Sequence, residues 1–250
     1  MRLLSTHGLV LHTTNYSETS VIAKIFTRQL GVKSYIVKGV RGGRSRVKQN
    51  LLQPLSYLDM VVYNNPHAAI NYAKEMRPAE SFSTLSTNSI RTAIVFFMSE
   101  LLYKTLHEEE PNQPLFDYVT DTLCSLDSAA HISGSLPVCY LLKVSRYLGI
   151  EPLDNYSRHE PCFNLKEGRY MALPSSRTLL TDPNADYFLD GDTSVQLHYY
   201  LDAINQDAPP PVMPLAVRTN LINTLLLYYQ THLTDFRNFK SHEILHAVLE

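Results

Sequence analysis

Residues 21–37 read VIAKIFTRQLGVKSYIV, and the order of apolar residues here determines the structure predicted for the amino-terminal part of the chain. Val21, Ala23 and Ile25 alternate with the residues between them, which is the period of a half-buried β-strand. A second run rich in β-branched and aromatic residues follows Gly31, which lies at the spacing of a hairpin turn. The stretch therefore predicts two antiparallel strands joined by a tight connection.

Three further strand-like runs flank this hairpin between Thr6 and about Glu80, at residues 8–11, 57–63 and 70–76. Five short strands of this kind can close into a small barrel. The OB-fold is the commonest five-stranded arrangement that binds single-stranded nucleic acid. The pattern predicts such a barrel, and a different small barrel is also compatible with it.

After Pro78 the period of apolar residues changes from two towards 3.6, which is typical of helices. Five segments fit helices: residues 88–107, 114–126, 137–148, 215–233 and 241–249. The tract at about 151–192 has no sustained period and is expected to be irregular chain with short strands. We therefore predict an α+β protein, with an OB-fold nucleic-acid-binding domain at residues 1–80 and a mainly α-helical domain at residues 81–250.

Positive charge is concentrated at the start of the chain. The first 50 residues contain nine Lys and Arg but only one acid, Glu18, which gives a local charge of +8. Since the whole chain carries −2, the remaining 200 residues sum to −10. Lys and Arg release counterions when they neutralise phosphates, so this segment indicates a nucleic-acid partner. A solvated charged face or a protein-docking surface is the alternative.

The candidate binding site combines cations with aromatic rings, because single-strand binders place cations on phosphates and stack rings on bases. Five of the nine cations lie in the glycine-containing run KGVRGGRSRVK, at residues 38–48. Phe26 and Tyr35 could instead face the barrel core, and the pattern alone does not separate the two placements. The predicted nucleic-acid-binding residues are Lys24, Arg28, Lys33, Tyr35, Lys38, Arg41, Arg44, Arg46 and Lys48.

Catalytic and metal motifs have weaker support. Residues 242–246 read HEILH and match the H-E-x-x-H zinc motif, but the third ligand commonly lies downstream, where only four residues follow. A zinc hydrolase is thus a minor alternative to a capped terminal helix. His159 and Cys162 have zinc-like spacing without two further ligands nearby, and the chain has neither a Walker A motif nor G-x-G-x-x-G. We predict no catalytic residue, no metal and no cofactor.

Membrane insertion and disulfides are not expected either. No stretch reaches the ~18 consecutive apolar residues of a membrane span, and the first residues lack the pattern of a signal peptide. The three cysteines lie far apart in the sequence, which favours a reducing cytoplasm.

Several short motifs resemble, in the same order, those of the recombination mediator family RecO, and together they cover nearly the full chain. The amino-terminal motifs are Gly8-Leu9-Val10-Leu11, Tyr16-Ser17-Glu18, Phe26-Thr27-Arg28 with Gly31, Lys38-Gly39-Val40-Arg41 and Leu52-Gln53-Pro54. The later motifs are Glu109-Glu110-Pro111-Asn112 with Leu115-Phe116, Leu148-Gly149-Ile150-Glu151-Pro152 and Phe239-Lys240-Ser241.

The resemblance implies an OB-fold followed by a helical domain and a nucleoid-associated role in DNA repair rather than catalysis. It implies binding of single- and double-stranded DNA, annealing of complementary strands, and loading of RecA together with RecR on DNA coated by the single-strand-binding protein SSB. Capture of the acidic SSB tail would need helical-domain cations, available at Lys143, Arg146, Arg218, Arg237 and Lys240. An RNA-binding OB module would share nearly all these features.

Many members of that family carry a four-cysteine zinc module in the helical domain. Here only Cys162, with His159 three residues before it, lies in the corresponding tract, so the pattern is broken. We expect the tract, a degenerate version of that module, to be held by packing of Tyr156, Phe163, Tyr170 and Tyr187 instead.

Overall fold

A computed structural model describes residues 2–40, 50–65, 67–107, 110–173, 187–189 and 191–249. The chain divides into two compact units, Met1–His131 and Ile132–Glu250, called the first and second unit below. The change from strands to helices expected near residue 80 falls inside the first unit. As a domain boundary, residue 80 stays a prediction.

Five strands of the first unit close into a barrel, which confirms the predicted OB-fold. The strands follow one another around the barrel in the order β1-β2-β3-β5-β4. They are β1 (Arg2–Asn15), β2 (Val21–Thr27), β3 (Gly31–Val37), β4 (Tyr57–Asn64) and β5 (Ile70–Pro78).

Pairing around the barrel is uneven. Strand β1 pairs antiparallel with β2 and β4, β2 with β3, and β4 with β5. The closing contact between β3 and β5 is parallel and joins only three residue pairs, from Ser34↔Ile70 to Ile36↔Tyr72. The barrel is therefore closed by a short seam between long ladders.

The barrel core is filled by alternating inward side chains, as the strand period predicts. Its members include Val10, Ala23, Ile25, Tyr35, Leu58 and Met60, and all of these are almost completely buried. Gly8 of β1 lies among these core residues, and as a glycine it adds no side chain to the core. A Cβ atom there would approach Ile25 Cγ2 to 2.6 Å and Met60 Sδ to 2.7 Å, so the close packing requires glycine.

Two helices complete the first unit, α1 (Ser89–Thr105) and α2 (Gln113–Ser128). The Arg91 N–H donates to the Asn88 side chain, so Asn88 is the N-cap of α1. Asn112 caps α2 in the same way through the Leu115 N–H. The Ser99 hydroxyl of α1 donates to the β1 carbonyl of Leu11 at 3.1 Å, which fastens α1 to the barrel.

The second unit contains four helices and a three-stranded sheet among its described residues. The helices are α3 (Leu136–Tyr147), α4 (Gly191–Asn205), α5 (Leu215–His232) and α6 (Ser241–Leu249). The sheet has the order β7-β6-β8, formed by β6 (Cys162–Asn164), β7 (Arg169–Met171) and β8 (Phe188–Leu189). Three of the four helices were predicted, and α4 was missed.

Aromatic packing supports the small sheet of the second unit. The ring of Tyr170 lies 5.4 Å from that of Tyr156 and 4.9 Å from that of Phe163, both edge to face. The Tyr170 hydroxyl donates to the Ser194 carbonyl at 3.1 Å, and His198 stacks on Tyr156. Three of the four expected aromatic residues thus form one cluster.

The fourth aromatic residue, Tyr187, makes a different contact: the centre of its ring lies 4.3 Å from the ammonium nitrogen of Lys166. Among the described residues, no helix is long and apolar enough to cross a membrane.

Candidate nucleic-acid interface

Lys24 projects from β2 towards α1. Its ammonium nitrogen lies 4.9 Å from the centre of the Tyr103 ring. Partial burial lowers the pKa of Lys24, because a charged amine loses hydration there. The contact holds this predicted binding residue beside an aromatic side chain that the sequence analysis did not select.

Arg28 is engaged in a bidentate ion pair with Asp117 of α2. Its Nε donates to Asp117 Oδ1 at 2.8 Å, and its Nη2 donates to Oδ2 at 2.9 Å. The pair raises the pKa of Arg28 and lowers the pKa of Asp117. A phosphate that binds Arg28 must therefore compete with a carboxylate already in place.

Tyr35 lies in the barrel core, and this placement corrects its selection as a base-stacking residue. Its side chain is fully buried, and Phe26 is 1% exposed, so neither ring offers a face to a ligand. The other placement left open by the sequence is therefore the observed one. Burial also raises the pKa of the Tyr35 hydroxyl, which has no hydrogen-bond partner among the described residues. Lys33, on the same strand, is 9% exposed, so little of it can contact a backbone phosphate.

Lys38 follows β3 and lies over an exposed tyrosine of β5. Its ammonium nitrogen is 5.4 Å from the centre of the Tyr72 ring, and Tyr72 is 42% exposed. The remaining predicted binding residues lie outside the described part of the chain, and they stay predictions: Arg41, Arg44, Arg46 and Lys48. Lys24 and Lys38 thus both lie beside tyrosine rings, that of Tyr103 on α1 and that of Tyr72 on β5.

The HEILH motif lies on α6, and its two histidine rings are 5.9 Å apart. His246 Nε2 is 3.4 Å from Asn223 Oδ1, and His242 packs beside Phe239. Within the part of the chain that the structure describes, no three His, Cys, Asp or Glu residues are placed to hold a metal ion. The geometry thus gives no support to the zinc-hydrolase alternative.

Two family models match the chain. The model described as "Recombination protein O N terminal" matches residues 1–82, and "Recombination protein O C terminal" matches residues 86–156. The first match spans the whole barrel, and the second begins just before α1.

Full-length similarity extends beyond those models. The DNA repair protein RecO of Flavobacterium johnsoniae is 30% identical over 246 residues, which cover 98% of each chain. The protein of the same name from Christiangramia forsetii is 29% identical over 98% of this chain and 99% of its own. That of Phocaeicola vulgatus is 29% identical over 97% and 98%, respectively. The chain therefore belongs to the RecO family of DNA repair and recombination proteins.

Proposed function

We propose that this protein is a recombination mediator that acts by binding rather than by covalent catalysis. It binds single- and double-stranded DNA through the outer surface of the barrel and the basic loop at residues 38–48. It anneals complementary strands, and with RecR it helps load RecA onto DNA coated by SSB. Its site of action would be the nucleoid.

The concentration of cations on one small barrel is the observation that carries this proposal. Residues 1–50 have a net charge of +8, and the described cations Lys24 and Lys38 lie beside tyrosine rings. Such a surface attracts phosphates without reading base sequence, because counterion release does not depend on sequence. A mediator that acts on any damaged site needs this kind of binding.

Annealing follows from the same electrostatics. Two complementary strands repel each other through their phosphates, and this repulsion weakens when both backbones lie near fixed cations. The acidic remainder of the chain, at −10, leaves the basic part as the surface for DNA. No bond is made or broken in this step.

The partner proteins would bind elsewhere. Capture of an acidic peptide end, such as the SSB tail, uses cations at the rim of a groove. Arg146 is already committed, since it donates to Glu151 at 2.8 Å and to Asn205 at 2.6 Å. Among the cations named for this role, which are Lys143, Arg146, Arg218, Arg237 and Lys240, Arg146 must therefore give up these contacts before it can bind such a peptide.

The test is binding of a labelled single-stranded DNA oligonucleotide across a salt series. With about five phosphate contacts, log affinity should fall with log salt at a slope of roughly −3.5. Replacing Arg41, Arg44 and Arg46 by Glu should weaken binding and make the slope shallower. Strand annealing, measured by energy transfer between two labelled complementary oligonucleotides, should slow in parallel.

A second triple variant controls for net charge. Arg158, Lys166 and Arg169 are exposed cations of the second unit, and their replacement by Glu changes the total charge by the same amount. This variant should keep most of the affinity and the full slope. Equal weakening in both variants would contradict the barrel as the DNA surface, and matched oligonucleotides of RNA would show whether the surface prefers DNA.

A further inference from the structure

A cavity of about 580 Å³ opens on the barrel near the short β3–β5 seam. Its volume falls within the usual range for small-molecule sites. Ile36 and Met76 contribute apolar side chains to its lining, and Tyr63 and Tyr72 contribute aromatic rings. Lys38 and Lys74 add two cations.

The two tyrosines are neighbours because of the strand register. Tyr63 of β4 pairs directly with Tyr72 of β5, so the two side chains emerge on the same face of the sheet. On β4 the residues Leu58, Met60 and Val62 point into the core, which places Tyr63 on the outer face. The rings are thus presented to solvent rather than to the barrel interior.

The charges around the cavity are all positive among its described lining residues. Lys38 covers part of the Tyr72 ring, and such a contact is weak at an exposed site. Lys74 has a loose pair with Glu75, at 3.7 Å, and both side chains are exposed. The Lys74 ammonium group can therefore turn to an incoming anion at little cost, and the Lys38 ammonium group lies at the same cavity.

A ligand for this site must combine a flat apolar part with negative charge. A nucleobase with its flanking phosphates has this combination, because every base has a π-face that stacks on tyrosine. A base inside a duplex is already stacked on both sides and cannot enter. The cavity therefore selects an unpaired base.

We propose that this cavity binds one unpaired base of single-stranded DNA, stacked on Tyr72, with the flanking phosphates on Lys38 and Lys74. This inference rests on the proposed DNA binding and adds to it a site that distinguishes single strands from duplexes. Lys38 leaves the tyrosine ring when the base arrives and moves to the phosphate.

The experiment compares wild type with Tyr72→Ala and Tyr72→Phe on single-stranded and double-stranded DNA of one sequence, across a salt series. Tyr72→Ala should lose about tenfold in affinity for the single strand and less than about twofold for the duplex. Its salt slope should equal that of wild type, because no charge is removed. Tyr72→Phe keeps the ring and should bind like wild type.

Tyr16→Ala serves as the matched control, since Tyr16 is 59% exposed and does not line the cavity. It should leave both affinities unchanged. A single strand carrying 2-aminopurine adds a direct readout, because its emission is quenched when the base stacks on tyrosine. The quenching should be lost in Tyr72→Ala and kept in Tyr72→Phe, and circular dichroism verifies that each variant is folded.

Three results would overturn the inference. Equal losses on both DNA forms, or a shallower slope in Tyr72→Ala, would mean that the ring only positions cations. If Tyr72→Ala binds the single strand as tightly as wild type does, the cavity is not a base-binding site, and the proposed DNA binding still stands. If wild type binds neither form of DNA, the proposed function fails as well.

Discussion

Replacing Asp127 by Asn tests the contact that fastens the segment before α1 to the end of α2. The Asp127 carboxylate accepts hydrogen bonds from the backbone N–H groups of Ser83 at 3.1 Å, Thr84 at 2.7 Å and Leu85 at 3.1 Å. The Thr84 hydroxyl donates to it as well, at 2.7 Å. One charged side chain thus orders three consecutive residues of a loop.

The pKa of Asp127 gives the size of this effect. Desolvation acts to raise the pKa, but the hydrogen bonds from Thr84, Ser83 and Leu85 outweigh it and lower the pKa from 3.8 to about 2. The full shift corresponds to about 2.4 kcal/mol, at about 1.36 kcal/mol per pKa unit. Because Asp127 is only half-buried, screening by solvent reduces this to about 1 kcal/mol.

The direction of the pH dependence follows from the linkage between protonation and folding. A carboxyl group with a lowered pKa stabilises the folded state above its unfolded pKa, near 4, and this contribution is lost as pH falls through about 2. Asn cannot ionise, so Asp127→Asn should lower the free energy of unfolding by about 1 kcal/mol at pH 7. About half of that difference should remain at pH 3.

Urea unfolding followed by circular dichroism, at pH 7, 5, 4 and 3, measures the difference, since the chain has no tryptophan for fluorescence. Asp121→Asn on an exposed position of α2 is the control and should match wild type at every pH. Equal stability of Asp127→Asn and wild type at pH 7 would refute the reasoning. A difference that stays constant from pH 7 to pH 3 would also refute it, because the charge would then not be its source.

Three further expectations follow from the packing. Gly8→Ala should lower the free energy of unfolding by about 1–3 kcal/mol in urea titrations, because the added Cβ atom would clash with Ile25 and Met60. Unchanged stability would contradict the tight packing around Gly8. Asp117→Asn should release Arg28 from its ion pair and raise the affinity for single-stranded DNA a few-fold, with a salt slope steeper by about 0.7. An unchanged slope would exclude Arg28 as a phosphate contact. Removal of divalent metal with a chelator should leave the melting temperature unchanged, as aromatic packing holds the small sheet, and a lowered melting temperature would reveal a structural ion.

The barrel strands could be predicted from the sequence because each strand has a recognisable pattern within its own short segment. The alternation around Val21–Ile25 and the turn at Gly31, whose φ is +66°, specify the β2–β3 hairpin without reference to the rest of the chain. The closing order of the strands could not be predicted. It depends on β3 meeting β5 across more than 30 residues, and no local pattern records that contact.

Helix α4 shows how a local signal can be hidden. Its buried residues Leu197, Tyr200, Leu201 and Ile204 follow helical spacing, but the segment begins with Gly191 and directly follows the irregular tract. Gly191 lies inside the tract interpreted as irregular chain, at about 151–192, and no element was predicted between that tract and residue 215. The helical spacing of these four residues, over positions 197–204, was present and would have identified the element.

The binding residues were harder to predict than the fold. Strand β3 is covered on both faces, so the alternation could not tell that Tyr35 points inward. The signal for Tyr72 was available in the run NYAKE at residues 71–75, where a tyrosine and a lysine stand two residues apart on a strand. Its link to Lys38 and Tyr63 required the strand register, which only the structure supplies.

The short β3–β5 seam also has a consequence for how the barrel forms. The β1–β2–β3 meander and the β4–β5 hairpin each join neighbours in sequence, so they close small loops and form early. The three parallel residue pairs of the seam stabilise the barrel only slightly, and they form only when a long loop closes. The seam should therefore form last in folding. The same reasoning makes the seam the first part of the barrel to open in the native state. The amide hydrogens that residues 34–36 and 70–72 donate across the seam should therefore exchange faster than those of the β1–β4 ladder.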